Sequence, residues 1–375
     1  MITADKLEVL HDGIRVGTIA SYQRYRTAFE YSPEWLRDGF SISPFSLPLE
    51  PGVKISAAVP FDGLFGIFAD SLPDGWGRLL VDRMLRKHGE DPDSFGPIER
   101  LSVAGRSGMG ALEYSPVFEL QQQVHSGDLD HLAEECARVL RSEEPDDLDM
   151  LFAMGGSSGG ARPKILTRVD GEEWIIKFPF SGDPEDIGLM EYEYTECARD
   201  CGIEVPESRL FPSEKCAGYY GCKRFDRERS GEKEKKIHMA SASALLEVSH
   251  RVPALDYDIL MALTWQLTKQ AREMERLYTL MCFNVFSHNR DDHSNNFSFL
   301  CDGGTWRLAP AYDLTYSNSI GGEHATTIAG EGKDPSLKDL LAVAGKAGLK
   351  DKRAREIADA VRETVEDRLT KYLKR

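Results

Sequence analysis

A polar segment around residue 290 carries side chains that could transfer a phosphoryl group. Asp291 and Asn296 stand five positions apart within it. In protein kinases this Asp-x-x-x-x-Asn spacing lets the aspartate accept or orient the proton of the acceptor hydroxyl, while the asparagine binds magnesium. Polar loops of the same composition also occur as plain turns, so the spacing alone leaves both interpretations open.

A second carboxylate follows in the order that such a site needs. Asp313 comes seventeen residues after Asn296, directly after the strand-like segment Trp306–Pro310. Magnesium binds few protein oxygens and completes its shell with water and phosphate oxygens. We therefore predict that Asn296 and Asp313 hold Mg²⁺ together with ATP.

A glycine-rich segment lies upstream, over residues 155–160. It contains four glycines and two serines, so its backbone N–H groups could approach phosphates closely. It is not a Walker A sequence, because Ala161 stands where the lysine of that motif is required. A flexible surface turn is the alternative interpretation.

One lysine and one glutamate between these segments complete the pattern. Lys177 lies in the apolar segment Trp174–Phe178, and an inward-facing ammonium there needs an anionic partner. ATP phosphates would supply one, and Glu191, fourteen residues later, could hold the lysine as in kinases. An exposed lysine and a helix-capping glutamate remain the alternative, but all five features occur in the kinase order.

The elements that must position these residues follow from periodicity. Two strands of a meander are predicted within 13–31, and helices over 33–39 and 76–89. These elements and a strand near 111–120 form a small α+β domain, predicted over 1–120. A helix from His125 to Leu140 and an acidic connector fill 121–150.

The remaining residues, 151–375, are predicted to form the catalytic domain. Strands at Lys164–Arg168 and Glu173–Phe178, and a further pair ending near Phe225, make it β-rich at first. A helix is predicted to start at Glu191, and the charged run 227–236 is expected to be an exposed loop. From about residue 240 the pattern becomes mainly helical. The predicted class is α+β, a two-lobed protein-kinase-like fold with a small N-terminal domain.

Composition and charge limit the classes of partner. The chain has 375 residues and a formal charge of −16, which opposes coating of nucleic acid through bulk charge. Residues 331–375 are the local exception, with twelve basic and nine acidic side chains, and they form either a solvated helix face or a contact for an acidic partner. No signal peptide or membrane-spanning run is evident, and the seven cysteines form no CxxC pair. We expect a cytoplasmic protein with reduced thiols and no membrane contact.

Taken together, these motifs resemble the HipA family, the serine/threonine-kinase toxins of bacterial toxin–antitoxin modules. The resemblance covers nearly the whole chain. In the N-terminal part it is carried by FEYSPEWL, ISPFSLPL, DSLPDGWGR and GRSGMGALEY. In the catalytic part it is carried by GGARPK, WIIKFP, GIEVPES, KRFDR, KIHM, NRDDHSNNFSFL and LAPAYDL. The last two blocks are the most specific.

The resemblance implies a role for individual residues. Asp291 is the expected catalytic base, with Asn296 and Asp313 as magnesium ligands. Residues Lys223 to Phe225 are the expected hinge against adenine. The full set expected to contact ATP is Ser158, Gly159, Gly160, Ala161, Lys164, Lys177, Lys223, Arg224, Phe225, His293 and Tyr312.

The resemblance also implies regulation and a partner. Ser157, seven residues before Lys164, stands where the family phosphorylates its own loop and inactivates itself, although Ser158 beside it leaves the modified hydroxyl open. A HipB-like DNA-binding antitoxin is the expected partner, with weak direct DNA contact or contact only within the complex. Asn295 departs from the family, because a lysine is usual at that position.

Two other functions fit the same residues. A small-molecule kinase of the aminoglycoside-phosphotransferase type uses the same Asp–Asn–Asp logic, but the N-terminal domain has no place in such an enzyme. A pseudokinase that only scaffolds a transcriptional repressor is the second alternative. The intact Asp291, Asn296, Asp313 and Lys177 argue against it, whereas Asn295 keeps it open.

Overall fold

The computed structural model describes residues 5–23, 26–117, 128–156, 158–180, 182–230, 233–318 and 320–374. The chain divides into two compact units. Unit 1 comprises Met1–Gly188, Arg209–Ala240 and Ala244–Glu247, and unit 2 comprises Leu189–Ser208, Ser241–Ser243 and Val248–Arg375. The predicted α+β class is confirmed, whereas the predicted domain boundaries at residues 120 and 150 stay predictions.

Unit 1 begins with an antiparallel five-stranded sheet in the order β4-β3-β2-β1-β5. Its strands are β1 (Lys6–His11), β2 (Ile14–Tyr22), β3 (Arg26–Tyr31), β4 (Lys54–Ile55) and β5 (Leu112–Ser115). Alternate side chains such as Leu7, Val9, Ile19 and Phe29 are buried, as the period of a half-buried strand requires. The predicted meander within 13–31 is confirmed by β2 and β3.

Four helices accompany this sheet, and two of them were predicted. They are α1 (Pro33–Asp38), α2 (Gly66–Ala69), α3 (Gly75–Lys87) and α4 (Pro97–Ala104). Helix α1 begins at Ser32, whose side chain accepts a hydrogen bond from Trp35 N, and α3 begins at Asp74, which accepts from Gly75 N. On α3 the buried side chains Trp76, Leu80 and Met84 recur at helical spacing.

The second part of unit 1 is a four-stranded sheet in the order β6-β7-β9-β8. The elements of this region are α5 (Leu129–Leu140), α6 (Leu148–Gly155), β6 (Lys164–Val169), β7 (Glu172–Lys177), β8 (Ser208–Phe211) and β9 (Tyr219–Lys223). Helix α7 (Ile187–Asp200) lies between β7 and β8 in sequence and, from Leu189 on, belongs to unit 2. Helix α5 begins later than predicted, at Leu129, and residues 118–127 lie outside the described part. Glu191 is the fifth residue of α7, so its predicted position at the helix start is wrong.

One hydrophobic core joins the helices of unit 1 to this sheet. Its buried residues are Trp76, Leu80, Leu132, Cys136, Val139, Met150, Leu151, Ile165, Ile176, Phe178 and Tyr219. They come from α3, α5, α6, β6, β7 and β9 or from the residue next to β7. The glycine-rich segment at 155–160, which joins α6 to β6, therefore starts and ends on packed elements.

The charged run 227–236 is a β-hairpin, and the prediction of an exposed loop is wrong. Its strands are β10 (Arg227–Ser230) and β11 (Lys233–Lys236). Glu228 lies opposite Lys235 and Arg229 opposite Glu234, so unlike charges face each other at these two pairs, whereas Arg227 lies opposite Lys236. Such cross-strand pairs stabilise a hairpin, and composition alone did not reveal them.

Unit 2 is mainly helical, as predicted. The elements that follow the hairpin along the chain are β12 (His238–Ser241), α8 (Ala242–Leu246), β13 (Leu255–Asp256), α9 (Tyr257–Thr268), α10 (Ala271–Phe286), β14 (Ser298–Asp302), β15 (Thr305–Leu308), β16 (Thr326–Thr327), α11 (Leu337–Lys346) and α12 (Asp351–Leu373). Helix α10 packs against α12, and both contribute fully buried side chains such as Tyr278, Phe283 and Leu369.

Two sequence expectations concern the chain as a whole. Within the described residues, no helix is both long and apolar enough to cross a membrane. None of the seven cysteines, all of which are described, forms a disulfide bond.

Candidate active site

The loop that carries Asp291 starts where α10 ends. The Asn289 N–H donates to Asn284 O at 3.0 Å, and His288 has a φ of +55°, the left-handed conformation that commonly ends helices. Burial lowers the pKa of His288, with Arg290 and His324 acting in the same direction. The hydroxyl of Tyr194 donates to Ser287 O at 2.8 Å, which ties the start of the loop to α7.

Asp291 presents its carboxylate at the surface of this loop. Its side chain is 61% exposed, and one oxygen lies 3.9 Å from His293 Nε2. Asn296 closes a short 3₁₀ turn, and its Nδ2 donates to the Asp291 carbonyl at 2.7 Å. This bond holds the two predicted residues in one loop and leaves the Asn296 amide oxygen as a possible metal ligand.

The segment of Asp313 is tied to the segment of Asn296 by the neighbouring residues. The Tyr312 hydroxyl donates to the Asn295 carbonyl and lies 2.6 Å from Ser298 Oγ. Asp313 itself has a φ of +53°. The structure thus places the two predicted magnesium ligands on linked backbone segments of unit 2.

The chemistry of these two side chains suits magnesium, which prefers an amide or carboxylate oxygen to nitrogen or sulfur. Among the residues that the structure describes, no group of three or more His, Cys, Asp or Glu side chains is placed to hold a metal ion. The predicted magnesium ligands, the Asn296 amide and the Asp313 carboxylate, are only two side chains. Phosphate oxygens and water would have to complete the shell.

Asn295, the departure from the family pattern, contacts a histidine that the sequence did not single out. The Asn295 amide nitrogen lies 3.1 Å from His250 Nδ1. The rings of His250 and His293 are 5.4 Å apart. An imidazole therefore stands next to the position where the family has a lysine. No motif in the sequence marks residue 250.

In unit 1 the glycine-rich segment leads from α6 into β6. Ser158 is buried, and its hydroxyl donates to the Gly155 carbonyl at 2.6 Å. Gly160 has a φ of +82°, which favours glycine. Ser157, the predicted site of autophosphorylation, lies outside the described residues.

The start of α3 supports this segment through direct backbone contacts. The Trp76 N–H donates to Gly160 O at 2.9 Å, and Trp76 Nε1 donates to Lys164 O at 3.1 Å. A Cβ atom on Gly77 would lie 2.2 Å from Ser158 O, so only glycine permits this approach. The motif DSLPDGWGR, which the sequence offered only as a resemblance, thus has a physical role in holding the glycine-rich segment.

Two lysines stand opposite each other on one face of the sheet. Lys164 on β6 pairs in register with Lys177 on β7. Lys164 is buried, and a Cβ atom on Gly160 would lie 2.8 Å from its Nζ. Lys177 Nζ lies 5.5 Å from the centre of the Tyr220 ring. Glu191 is buried on α7 in unit 2, and its predicted pairing with Lys177 stays a prediction.

The predicted adenine hinge has its charged side chains engaged elsewhere. Lys223 pairs with Glu172. Arg224 is buried, 2.7 Å from Asp226 and 3.3 Å from Glu173. Any contact of residues 223–225 with adenine therefore falls to the backbone and to Phe225.

A cavity of about 690 Å³ opens in unit 1 beside the glycine-rich segment. Gly156, Leu166 and Arg224 line it, together with Arg168 and Arg227. Its volume is that of a small-molecule site. However, the arginines pair with Glu173, Asp226 and Glu234, so the cavity shows no excess of unpaired charge.

Sequence reasoning also missed Asp292, the neighbour of Asp291. Asp292 is fully buried, whereas Asp291 is exposed. The available signal was the doubled aspartate itself, since adjacent side chains on an irregular loop can point to opposite sides. The contacts of Asp292 are described below.

Residues 156–369 match the family model of the HipA-like C-terminal domain, and residues 7–115 match that of the HipA N-terminal domain. A chain from the Shewanella oneidensis MR-1 toxin–antitoxin complex of HipA, HipB and operator DNA has a similar fold. Its TM-score is 0.71 at 17% sequence identity, covering 98% of this chain and 91% of that chain.

A second solved structure is similar over part of the chain. It is the Helicobacter pylori proinflammatory kinase CtkA, with a TM-score of 0.38 and 13% identity, covering 58% of this chain and 90% of that chain. The comparison with curated proteins gives no match.

Proposed function

The chain belongs to the HipA family, and from this premise we propose that it is a serine/threonine protein kinase. It would transfer the γ-phosphate of ATP to a hydroxyl group of a protein. The observation that carries the proposal is the loop after α10. There Asp291 presents an exposed carboxylate, and the side-chain amide of Asn296, five residues on, donates a hydrogen bond of 2.7 Å to the Asp291 backbone carbonyl.

Asp291 has the role of the base in this proposal. Its exposed carboxylate can accept a hydrogen bond from an incoming serine or threonine hydroxyl and orient it for attack. Phosphoryl transfer needs little covalent chemistry from the protein, so positioning and charge stabilisation supply most of the rate enhancement. His293 Nε2 lies 3.9 Å from the same carboxylate.

Asn296 and Asp313 would hold Mg²⁺ through oxygen atoms. The ion, when bound, neutralises charge on the phosphate oxygens. Tyr312 fixes the backbone between the two segments through the Asn295 carbonyl. The positions of both ligands thus depend on one hydrogen-bonded tyrosine.

ATP phosphates would be bound by unit 1. The paired Lys164 and Lys177 supply positive charge, and the backbone N–H groups of residues 159–161 supply donors. The N-terminus of α3 keeps this backbone in place through Trp76. Because Asp291 is not among the residues proposed to bind ATP, its loss should spare ATP binding.

Autophosphorylation in the glycine-rich segment is the second part of the proposal. A phosphate on Ser157 would add a charge of about −1.5 to −2 at pH 7 and repel the phosphates of ATP. After incubation with Mg-ATP, intact-mass spectrometry should detect one added phosphate, and peptide mapping should place it in residues 155–160. No modification of this segment in an active preparation would refute self-inactivation.

A DNA-binding antitoxin is the proposed partner, which would make the chain the toxin of a toxin–antitoxin pair. The support is that the similar Shewanella chain was solved with HipB and operator DNA. The formal charge of −16 disfavours strong direct DNA binding by this chain. The partner would therefore have to supply the DNA contacts.

A further inference from the structure

Asp292 differs from its neighbour Asp291 in environment. The Asp292 side chain has no exposed surface, whereas that of Asp291 is mostly exposed. A buried carboxylate is costly unless hydrogen bonds compensate for the lost water. The hydrogen-bond donors to the Asp292 carboxylate therefore identify the elements that hold this residue in place.

Three groups from two separate segments donate to the Asp292 carboxylate. The Tyr257 hydroxyl on α9 lies 3.0 Å from Oδ2, and His324 Nδ1 lies 2.9 Å from the same oxygen. The Thr326 N–H donates to Oδ1 at 3.2 Å. Because the carboxylate accepts, we assign the ring hydrogen of His324 to Nδ1. Both oxygens are thus engaged by protein groups.

A chain of buried hydrogen bonds connects this carboxylate to the end of α10. Asn284 Nδ2 donates to the Tyr257 hydroxyl at 3.0 Å, and Asn289 Nδ2 donates to Asn284 Oδ1 at 2.9 Å. Burial and the nearby Asp292 charge raise the pKa of Tyr257 well above its ordinary value, so its hydroxyl stays a donor. The loop is therefore fixed to the helix before it.

Residues 324–326, which include two of the donors to Asp292, also hold the backbone on both sides of Asp291. The Ala325 N–H donates to the Arg290 carbonyl at 3.1 Å, and Thr326 Oγ1 donates to the Asp292 carbonyl at 2.6 Å. Residues 324–326 thus contact the loop through two backbone carbonyls and one carboxylate. These contacts determine where the Asp291 side chain leaves the backbone.

We propose that Asp292 is a positioning residue for the phosphoryl transfer assigned to Asp291. It acts by anchoring the loop to His324, Thr326 and Tyr257, and this proposal rests on the proposed kinase function. Misplacing a catalytic group by about 1 Å can cost about 100-fold in rate. Asp292 touches no reacting atom, because its two oxygens are occupied within the buried network.

The test compares Asp292→Asn with a matched buried carboxylate. Glu273 is buried in the same unit and accepts from Leu308 N at 2.8 Å and Arg276 Nη1 at 2.7 Å, near the other end of α10. We measure ADP release from Mg-ATP in a coupled assay on the full chain, together with the melting temperature. Asp292→Asn should lower kcat about 10- to 100-fold with KM for ATP within about twofold. Glu273→Gln should lower the melting temperature but keep kcat.

A milder pair of variants keeps the proposal testable if Asp292→Asn fails to fold. Thr326→Val removes the hydroxyl that donates to the Asp292 carbonyl, and Thr326→Ser retains it. We expect a lower kcat in the valine variant and near wild-type kcat in the serine variant. Equal kcat in both variants, or an equal loss in Glu273→Gln, would overturn the positioning role.

The same assay separates failure of this proposal from failure of the proposed function. A wild-type chain that releases no ADP from Mg-ATP, or an Asp291→Ala variant as active as wild type, would refute both. An active wild type, an inactive Asp291→Ala variant and an unchanged Asp292→Asn variant would refute the positioning role alone.

Discussion

Each unit buries one aspartate at a junction of segments, and the two are satisfied by different chemistry. In unit 1, Asp226 lies 2.7 Å from Arg224 and 2.9 Å from Arg227, so guanidinium groups balance its charge. In unit 2, the donors to Asp292 are a phenol, an imidazole and a backbone amide. The first arrangement pairs charges, whereas the second orients a carboxylate through directional hydrogen bonds.

The hydrogen-bond networks around Asp226 and Asp292 also hold different parts of the chain in place. Asp226 accepts from the Gly110 N–H at 2.7 Å, and Arg224 donates to the Gly108 carbonyl at 3.0 Å, so this network joins residues 224–226 to residues 108–110. Asp292 holds a loop whose next residue is the exposed Asp291. The difference indicates that loss of Asp226 should act on stability, whereas loss of Asp292 should act on turnover.

The largest expected effect on stability belongs to Asp226→Asn. Burial alone would raise the pKa of Asp226, but the Arg224 and Arg227 guanidinium groups outweigh it and lower that pKa. Removing the charge leaves two buried arginines with less compensation, which costs about 3–5 kcal/mol of unfolding free energy. Urea denaturation followed by circular dichroism measures this loss.

Asp38→Asn is the control for that variant. Asp38 pairs with Arg37 in the same unit, but both side chains are at least 70% exposed. Exposed pairs contribute little, so its midpoint in urea should stay near that of wild type. A loss in Asp226→Asn no larger than in this control would contradict the comparison of the two networks.

A smaller effect concerns His238, which is fully buried in unit 1. Its Nε2 lies 2.8 Å from the Ile42 carbonyl, and burial lowers its pKa to about 4 from 6.5. On acidification, His238 therefore takes up a proton at a higher pH in the unfolded chain than in the folded chain. The contribution of neutral His238 is complete above pH 6.5 and is lost as the pH falls towards 4. Between pH 7 and 5.5 it should fall by about 1 kcal/mol.

The variant His238→Gln tests this pH dependence, because it keeps an N–H donor but does not titrate in this range. Its unfolding free energy should decline less between pH 7 and 5.5 than that of wild type, by the same amount of about 1 kcal/mol. Parallel pH profiles for the two proteins would show that burial does not hold His238 neutral.

Much of the fold was predictable because local patterns repeat. The apolar spacing on α3 and the alternation along β2 and β3 identified those elements, and the helical character of unit 2 followed in the same way. The hairpin at 227–236 was missed because its stabilising pairs are charged. Charged residues of this kind are usually solvent-exposed, and their pairing across a hairpin can be recognised only once the register of the two strands is known.

In the candidate site, too, some residues were predictable from local sequence patterns and others were not. Asp291, Asn296 and Asp313 were predicted from types and spacing, and the structure places them on hydrogen-bonded segments of unit 2. The burial of Asp292 was not predictable, since His324 and Thr326 lie more than thirty residues away in sequence. Long-range polar contacts leave no periodic signal.

The most direct test of the account is γ-phosphate transfer by Asp291→Ala. Radiolabelled ATP is supplied with Mg²⁺, incorporation into the chain is measured, and ATP affinity is determined separately by calorimetry. The account predicts that wild type incorporates phosphate, that Asp291→Ala incorporates none, and that both bind ATP with affinities within about threefold, since Asp291 is not among the residues proposed to bind ATP. Undiminished transfer by Asp291→Ala would contradict the assignment of the base and, with it, the proposed mechanism.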